Sequence, residues 1–359
     1  MSDILNPFLE IPPYSLPRGE KDALHADALG MLTRLHYDRC EAYKNIVSLF
    51  GFDPTVSHAV EEIPLLPVRL FKEFDLLSVD LSEIVKTLTS SGTSGQKVSK
   101  VFLDKETTRN QTRVLAYIIA SFIGKSRLPL IILDTEMVKR DRSMFSARGA
   151  GIIGFSTFGK KICYALDDTM NFDVKKVATF IEEHRGERVL LFGYTYMVWQ
   201  YTVMKLQEAG IRFDLDDGVL FHVGGWKKLQ NLAVDFTTFS RRFCDTFGNV
   251  AVYNYYGMAE QLGSIYVECE HGRMHASNFS DVIIRRPSDF SVADPGERGL
   301  IQLVSVLPTS YPGHSILTED EGEITGIDDC HCGRLGKTFK IHGRIKNAEI
   351  RGCSDTYGQ

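Results

Sequence analysis

The feature that most constrains the fold is a repeated alternation of apolar runs and helical patterns across residues 107–254. Each apolar run has the length of a buried strand, and the intervening segments carry apolar residues at helical spacing. The predicted strands are 128–134, 188–192, 218–223 and 250–254, and the predicted helices are 107–122, 173–184, 195–209 and 229–247. This succession predicts an α/β fold with a largely parallel sheet, which binds ligands at the carboxyl ends of its strands. Candidate binding loops therefore lie at 193–195, 224–228 and 255–260.

The chain has a different pattern on each side of this region. Residues 22–50 carry apolar residues at helical spacing, whereas short strands separated by turns follow residue 264. We therefore predict a helical lead over 1–80, an α/β core over 81–265, a small β sub-domain over 266–342 and a tail over 343–359.

Composition argues against several classes of partner. The net charge of the 359-residue chain is −5, which disfavours a nucleic-acid or anionic-membrane ligand. The N-terminus lacks the pattern of a signal peptide, and no apolar run approaches the ~18 residues that span a bilayer. We expect a cytoplasmic protein whose seven cysteines, an odd number, serve as thiols, metal ligands or a nucleophile.

A run of hydroxyl-bearing residues, glycines and lysines occupies residues 89–100. Glycines let backbone N–H groups approach an anion, hydroxyls donate hydrogen bonds, and lysines supply positive charge. This chemistry suits a phosphate group, although the spacing is not that of a Walker loop. On its own, a run of this composition is more often a plain surface loop.

Two further motifs offer nucleotide-binding chemistry. The first is Tyr256-Gly-Met-Ala-Glu260, in which the tyrosine ring can stack on a purine and the glutamate can hold Mg²⁺. The second is an acidic segment at 317–322, predicted as a β turn, with Arg344 downstream. A carboxylate there can accept ribose hydroxyls, and an arginine can reach ribose or phosphate. Each motif alone also fits a solvated turn.

The order of these motifs resembles that of the adenylate-forming superfamily of acyl-CoA synthetases and adenylation domains, from about residue 64 onward. The resemblance implies that superfamily's N-terminal domain fold, with parallel α/β layers and a small β-barrel-like sub-domain, and it implies ATP and Mg²⁺ as cofactors. It implies catalytic roles for Lys97 and Glu260, and nucleotide contacts for Ser90, Ser91, Gly92, Thr93, Ser94, Gly95, Lys100, Gly224, Gly225, Tyr256, Gly257, Asp320 and Arg344. The acyl pocket is expected to draw on Tyr194, Thr195, Trp199, His222 and Trp226.

Within that superfamily the chain is more similar to the acyl-protein synthetase (LuxE) family, on the evidence of residues 67–74, 224–228 and 343–355. Members of that family activate a fatty acid as acyl-AMP, hold it as a thioester on a cysteine near the C-terminus, and pass it to an acyl reductase of the LuxC type. The resemblance implies Cys353 as the nucleophile, and the neighbouring Arg351 favours its thiolate. The alternative for Cys353 is a tail cysteine without a role.

Two departures from the superfamily pattern bear on mechanism. Ala259 stands where a threonine is usual, which removes a hydroxyl contact to phosphate. Only a short tail follows Gly352, so we expect the mobile C-terminal domain, with its catalytic lysine, to be absent or vestigial. The substitute cation is then expected among Lys97, Lys100, Lys227 and Lys346.

The remaining cysteines suggest a metal site. Cys269, His275, Cys330 and Cys332 form a Cys₃His set suited to tetrahedral Zn²⁺, with His271 and His331 as alternative ligands. Similar pairs occur in the phenylacetate–CoA ligase branch of the superfamily, where they can bind zinc. The alternative is a group of reduced, buried cysteines.

These observations predict an ATP-dependent carboxylate activator, acting on a fatty acid and delivering the acyl group through Cys353 to a reductase. A homo- or hetero-oligomer is compatible with that role. Two alternatives stay open: a ligase that releases acyl-CoA, and a non-catalytic nucleotide-binding scaffold.

Overall fold

The structure, a computed structural model, describes residues 2–89, 98–140, 147–226 and 232–345. Its helices are α1 (Ser2–Leu9), α2 (Arg18–Arg39), α3 (Glu41–Leu49), α4 (Leu70–Glu73), α5 (Lys105–Ile123), α6 (Met137–Arg140), α7 (Ala147–Ser156), α8 (Val174–Glu183), α9 (Thr195–Met197), α10 (Met204–Glu208) and α11 (Phe236–Phe247). Its strands are β1 (Leu66–Pro67), β2 (Ile84–Thr89), β3 (Lys100–Asp104), β4 (Leu128–Thr135), β5 (Gly159–Leu166), β6 (Val189–Tyr194), β7 (Leu215–Val223), β8 (Gly248–Tyr256), β9 (Tyr266–Glu268), β10 (Met274–His275), β11 (Ser280–Arg285), β12 (Gly299–Ser305), β13 (Ser315–Ile327) and β14 (Lys337–Arg344). Among the described helices, none is both long and apolar enough to cross a bilayer.

The described residues group into two compact units. The first unit contains residues 2–121, 257–267 and 273–345, and the second contains Phe122–Tyr256 with Glu268–Gly272. This division into two units does not test the four regions predicted from the sequence, which remain a proposal about the domain organisation.

The second unit is built on a parallel sheet in the strand order β5-β4-β6-β7-β8. The predicted parallel sheet is therefore confirmed. Strands β4 and β6 are buried almost throughout, which explains their continuous apolar sequences. Since β5 lies on one side of β4 while β6 lies on the other, the strand order reverses there. A reversal of this kind leaves a crevice at the carboxyl ends of the two central strands, here β4 and β6.

The first unit combines the N-terminal helices with an antiparallel sheet in the order β11-β12-β13-β14-β10. Strand β1 adds to β13 in parallel, and β2 pairs with β3 as a separate hairpin. Its core includes Tyr43, Phe71 and Tyr311, each at most 1% exposed. Burial of such large aromatic groups is a main source of stability in a unit of this size.

Several elements differ from the sequence prediction. The predicted helix over 229–247 starts at Phe236, because Asp235 caps it by accepting a hydrogen bond from the Thr238 N–H at 2.7 Å. Residues 229–231 of that prediction lie outside the described residues. The predicted helix over 195–209 is present, but Val198–Val203 forms a π-helical turn within it.

The acidic segment at 317–322 is not a turn, contrary to the prediction. It lies within β13, and the register between β13 and β14 shifts between Glu321 and Gly322. A Cβ at Gly322 would lie 2.5 Å from the Lys340 carbonyl oxygen, so a side chain cannot be accommodated there. The carboxylates of this segment are thus presented from a strand with a local irregularity, which fixes their direction more firmly than a surface turn would.

Candidate active site and metal centre

The first unit holds Glu260 in a short helical turn, Ala259–Gln261. Its side chain is buried, with 6% of the residue exposed. The Glu260 carbonyl oxygen accepts a hydrogen bond from the Tyr311 hydroxyl at 2.9 Å. The Gln261 amide donates to the carbonyl oxygens of Leu303 at 3.1 Å and Gly313 at 2.9 Å. Main-chain and side-chain contacts therefore fix the position from which the carboxylate projects.

Burial raises the pKa of the Glu260 carboxyl above its ordinary value. Hydrogen bonds from its own backbone N–H and from Ser99, together with the positive charges of Lys72 and Arg344, oppose that rise. A buried carboxylate beside two cationic side chains is a strongly perturbed acid, of the kind that occurs at functional sites. Its oxygens fit the preference of Mg²⁺ for carboxylate ligands, and a bound cation would favour the charged carboxylate.

Asp320 and Arg344 meet as neighbours across β13 and β14. The Arg344 Nε lies 3.6 Å from Asp320 Oδ1, and the Asp320 N–H donates to the Thr318 hydroxyl at 3.1 Å. The positive charge of Arg344 also opposes the rise that burial causes in the pKa of the Glu260 carboxyl. The structure therefore brings together Glu260, Asp320 and Arg344, which the sequence analysis predicted to contact the nucleotide.

The run predicted to bind phosphate, residues 89–100, is described only at its ends. Thr89 and Lys100 face each other in the β2–β3 hairpin, and the Lys100 ammonium pairs with Asp75 at 3.0 Å. Ser99, next to Lys100, donates to Glu260, so one end of the run reaches the same corner of the first unit. The remaining predicted residues fall outside the described residues; they are Ser90, Ser91, Gly92, Thr93, Ser94, Gly95, Lys97, Lys227, Lys346 and Cys353.

In the second unit the predicted pocket residues lie at the carboxyl ends of β6 and β7. His222 is paired with Gly193 across these strands, and its Nδ1 lies 2.9 Å from the Thr195 hydroxyl. The His222 ring stacks on Phe239 at 4.3 Å between centroids. Burial lowers the pKa of His222 to about 3, so the ring is neutral at physiological pH. Among the described residues, none offers a hydrogen-bond partner to His222 Nε2.

The other predicted residues of this unit lie at the same edge of the sheet. Trp226 packs edge-on against Trp199, with centroids 5.3 Å apart. Gly224 has φ +85°, a left-handed conformation that favours glycine, and a Cβ there would lie 3.4 Å from the Tyr194 ring. Gly225 has open space around it. Tyr256 ends β8, beside β7, whereas Gly257 belongs to the first unit.

The sequence prediction missed a buried ion pair at the crevice of the second unit. The Arg148 Nε donates to Asp134 Oδ2 at 2.8 Å, and Arg148 Nη2 donates to the other oxygen. Asp134 is 0% and Arg148 1% exposed. The Tyr194 hydroxyl donates to the Arg148 carbonyl oxygen at 3.4 Å, so the pair supports a predicted pocket residue. Asp134 was recognisable because it ends the apolar run 128–134. Its partner Arg148 follows a segment without such an apolar pattern, so the pair could not be predicted from the sequence.

The candidate metal ligands come together. One ligand atom from each of Cys269, His275, Cys330 and Cys332 lies within 4.8 Å of the others. The His275 Nε2 and the Cys332 Sγ are 3.4 Å apart. Tetrahedral zinc with Zn–S bonds of about 2.3 Å separates its sulfur ligands by roughly 3.8 Å, so the arrangement fits a zinc site. The alternatives His271 and His331 are exposed.

The surroundings of the Cys332 thiol favour its thiolate form. Burial by itself would raise its pKa, but hydrogen bonds and positive charge from Arg334, with a hydrogen bond from Cys330, lower the pKa below the ordinary value. Because the thiolate is the form that ligates zinc, this environment favours the metal-bound state.

The fold defines the class of the protein. The chain superposes on 2-hydroxyisobutyryl-CoA ligase in an open conformation with 2-HIB-AMP and CoA, with a TM-score of 0.69. The match has 16% identity and covers 94% of this chain and 78% of that one, which establishes the fold of an adenylate-forming ligase.

The model of the family described as acyl-protein synthetase, LuxE, matches residues 1–359, and the chain belongs to that family of ligases. A long-chain-fatty-acid–luciferin-component ligase of Aliivibrio fischeri is 25% identical and aligns over 89% of this chain and 84% of its own length. The ligase of that name from Vibrio harveyi is 22% identical over 90% and 84%. A phenylacetate-coenzyme A ligase of Thermus thermophilus is 22% identical over 89% and 69%.

Proposed function

We propose that this protein activates a long-chain fatty acid with ATP and then holds the acyl group as a thioester on Cys353. The observation that carries the proposal is the buried Glu260 carboxylate, which lies with Ser99, Lys72 and Arg344 in one corner of the first unit. A perturbed acid beside cations and a strand-borne aspartate suits a nucleotide triphosphate and its metal ion. The names of the Aliivibrio and Vibrio relatives support a fatty acid as the substrate.

In the first half-reaction a carboxylate oxygen of the fatty acid bonds to the α-phosphorus of ATP. The bond from that phosphorus to the bridging oxygen breaks, and pyrophosphate leaves with the electron pair. Glu260 would hold Mg²⁺, which neutralises charge on the phosphates. Asp320 would accept the ribose hydroxyls, Arg344 would reach ribose or phosphate, and Tyr256 would stack on adenine.

The acyl end of the substrate is assigned to the strand ends of the second unit. His222 is neutral and buried there, beside Thr195 and the two tryptophans. A neutral imidazole avoids placing a second full charge in an apolar pocket, so it can orient a polar group without binding it as an ion pair.

In the second half-reaction the Cys353 thiolate attacks the acyl carbonyl carbon. The thiol proton has passed to solvent before this attack. The carbon–oxygen bond to AMP breaks, and AMP leaves with the electron pair. The thioester keeps the acyl group activated for transfer to an acyl reductase partner. Lys97 and the backbone N–H groups of residues 90–96 would act earlier, in the first half-reaction, by stabilising charge on the departing pyrophosphate.

The test is to incubate the protein with labelled fatty acid and Mg·ATP, without CoA, and to measure label on the protein. The proposal predicts protein-bound label that hydroxylamine releases and that Cys353→Ala abolishes, while the neighbouring Ser354→Ala retains it. Label that survives Cys353→Ala undiminished contradicts the thioester step. Release of acyl-CoA on adding CoA, with no label on the protein, would identify a CoA ligase instead.

A further inference from the structure

An adenylating enzyme needs positive charge where pyrophosphate forms, and none of the four lysines predicted from the sequence is described beside Glu260. Lys97, Lys227 and Lys346 lie outside the described residues. Lys100 is described, and its ammonium is paired with Asp75 at 3.0 Å in an exposed position. The corner around Glu260 contains a different lysine, Lys72, which the sequence analysis did not consider.

The chain brings Lys72 to this corner through strand pairing. Strand β1 runs parallel to β13, with Leu66 beside Ile316 and Pro67 beside Leu317. The Val68 N–H then donates to the Leu317 carbonyl oxygen at 2.9 Å. Helix α4 follows at once, so it starts beside the part of β13 that leads to Asp320.

A packed aromatic pair anchors α4 on the residue that holds Glu260. Phe71, next to Lys72, is 1% exposed and packs edge-on against Tyr311, with ring centroids 6.2 Å apart. Tyr311 in turn donates its hydroxyl hydrogen to the Glu260 carbonyl oxygen at 2.9 Å. Tyr311 therefore links the helix that carries Lys72 to the main chain of Glu260, the candidate metal ligand.

The Lys72 side chain is half-buried, and its charge acts on the Glu260 carboxyl to oppose the effect of burial on that pKa. Partial burial matters because a charge with reduced access to water interacts more strongly with a nearby anion. An ammonium group on a flexible stem also binds phosphate oxygens as a point charge, without a fixed geometry.

We propose that Lys72 is a phosphate-binding cation of this enzyme, acting beside Glu260 on the triphosphate and on the pyrophosphate that leaves. The inference rests on the proposed function, because it needs ATP to be the substrate. As the bond to the bridging oxygen breaks, negative charge grows on the pyrophosphate, and Lys72 stabilises that charge without giving up a proton.

The test measures equilibrium binding of Mg·ATP and of inorganic pyrophosphate by calorimetry, together with fatty-acid-dependent ATP–pyrophosphate exchange. Lys72→Met is expected to weaken binding of both ligands by about tenfold to a hundredfold, the usual effect of losing a hydrogen bond to a charged group. Lys72→Arg is expected to keep most of the binding, because the positive charge remains. Lys44→Met, an exposed lysine of the same unit, is the control and should bind as the wild type does.

Fatty-acid binding without ATP and the thermal midpoint should be unchanged in Lys72→Met, and Lys72→Gln provides a second neutral variant should the methionine variant not fold. Unchanged binding of both phosphate ligands in a neutral variant, with exchange intact, overturns the role of Lys72 and leaves the proposed function standing. A wild-type protein that binds neither ligand and exchanges nothing overturns the proposed function and this inference with it.

Discussion

The hydroxyl of Tyr311 donates a hydrogen bond to the backbone carbonyl of Glu260 at 2.9 Å, and both residues are buried. The Gln111 side-chain amide donates to the same hydroxyl at 3.3 Å. The candidate metal ligand is therefore positioned through its main chain, by a tyrosine that itself is held by a glutamine. This arrangement fixes the backbone from which the carboxylate projects.

Tyr311→Phe should lower the free energy of unfolding by about 1–3 kcal/mol, because it leaves the Glu260 carbonyl and the Gln111 amide without their partner. It should also raise the Mg²⁺ concentration needed for half-maximal pyrophosphate exchange. Tyr117→Phe is the matched control, since that hydroxyl donates to the Ile11 carbonyl at 3.1 Å and is not in contact with Glu260. An unchanged Mg²⁺ dependence in Tyr311→Phe would contradict the positioning role.

The buried Asp134–Arg148 pair should dominate the stability of the second unit. Asp134→Asn or Arg148→Met should each cost about 3–5 kcal/mol in urea unfolding, because each leaves a charge buried without its partner. Replacing both, as Asp134→Leu with Arg148→Met, should cost less than the sum of the two single changes.

The exposed pair Lys161–Glu183 supplies the comparison for that experiment. Its side chains are 57% and 49% exposed, so Glu183→Gln should change the free energy of unfolding far less than Asp134→Asn does. Equal effects of Asp134→Asn and Glu183→Gln would show that the buried pair is not a structural element.

The stability of the first unit should fall as the solution is acidified. Burial lowers the pKa of His36 to about 3, although a hydrogen bond to the Pro308 carbonyl opposes this, and burial lowers the pKa of His25 to about 4. Because the folded pKa lies below the unfolded value of about 6.5, each histidine contributes fully above pH 6.5. That contribution is lost as the pH falls from 6.5 toward the folded pKa.

Between pH 7.5 and pH 5 the free energy of unfolding should therefore drop by about 2 kcal/mol for each of these histidines. His36→Gln should show a smaller drop than the wild type over the same range. Buried Glu260 opposes the trend, since its raised pKa makes its contribution grow on acidification. A wild-type unfolding free energy that is equal at the two pH values would contradict this account.

The cysteine cluster should hold about one zinc per chain in protein purified under reducing conditions. Cys332→Ser and His275→Ala should lose the metal, and Cys244→Ser, a half-buried cysteine outside the cluster, should retain it. Metal removal should also speed hydrogen exchange at the N-terminal segment, because loops of the cluster hold it. The Leu335 N–H donates to the Tyr14 carbonyl at 2.9 Å, and the Arg18 N–H donates to Asp328 at 2.8 Å. If the purified wild-type protein contains no metal, and Cys332→Ser shows the same hydrogen-exchange pattern as the wild type, the cluster is a group of ordinary thiols and not a zinc site.

The strands that could be predicted from the sequence are those that contain a continuous run of apolar residues. Strands β4 and β6 were predictable because their almost complete burial leaves little room for polar residues. Strands β7 and β8 were predictable from shorter apolar runs within them, although both also contain polar residues. Strand β5 was missed because it opens with exposed Lys160 and Lys161, and α7 was missed because glycines interrupt it. Gly151 of α7 is required by packing, since a Cβ there would lie 2.5 Å from the Tyr194 hydroxyl.

The candidate site was predictable where a motif is local and unpredictable where distant segments meet. Glu260 and Tyr256 stand in one short motif, and the paired spacing of the cysteines pointed to a cluster that the fold then assembles. No local pattern assigns Lys72 or Arg148 to a site, although Lys72 lies within the family-like segment 67–74. Lys72 is placed by the pairing of β1 with β13, which is far along the chain. Arg148 is placed by its ion pair with Asp134.

The most direct test of the central claim is fatty-acid-dependent exchange of labelled pyrophosphate into ATP, measured without CoA. The account predicts exchange that requires Mg²⁺ and a long-chain fatty acid, and that Glu260→Gln reduces strongly. Absence of exchange with fatty, aryl and amino acids alike, even with an acyl reductase partner present, would contradict the account.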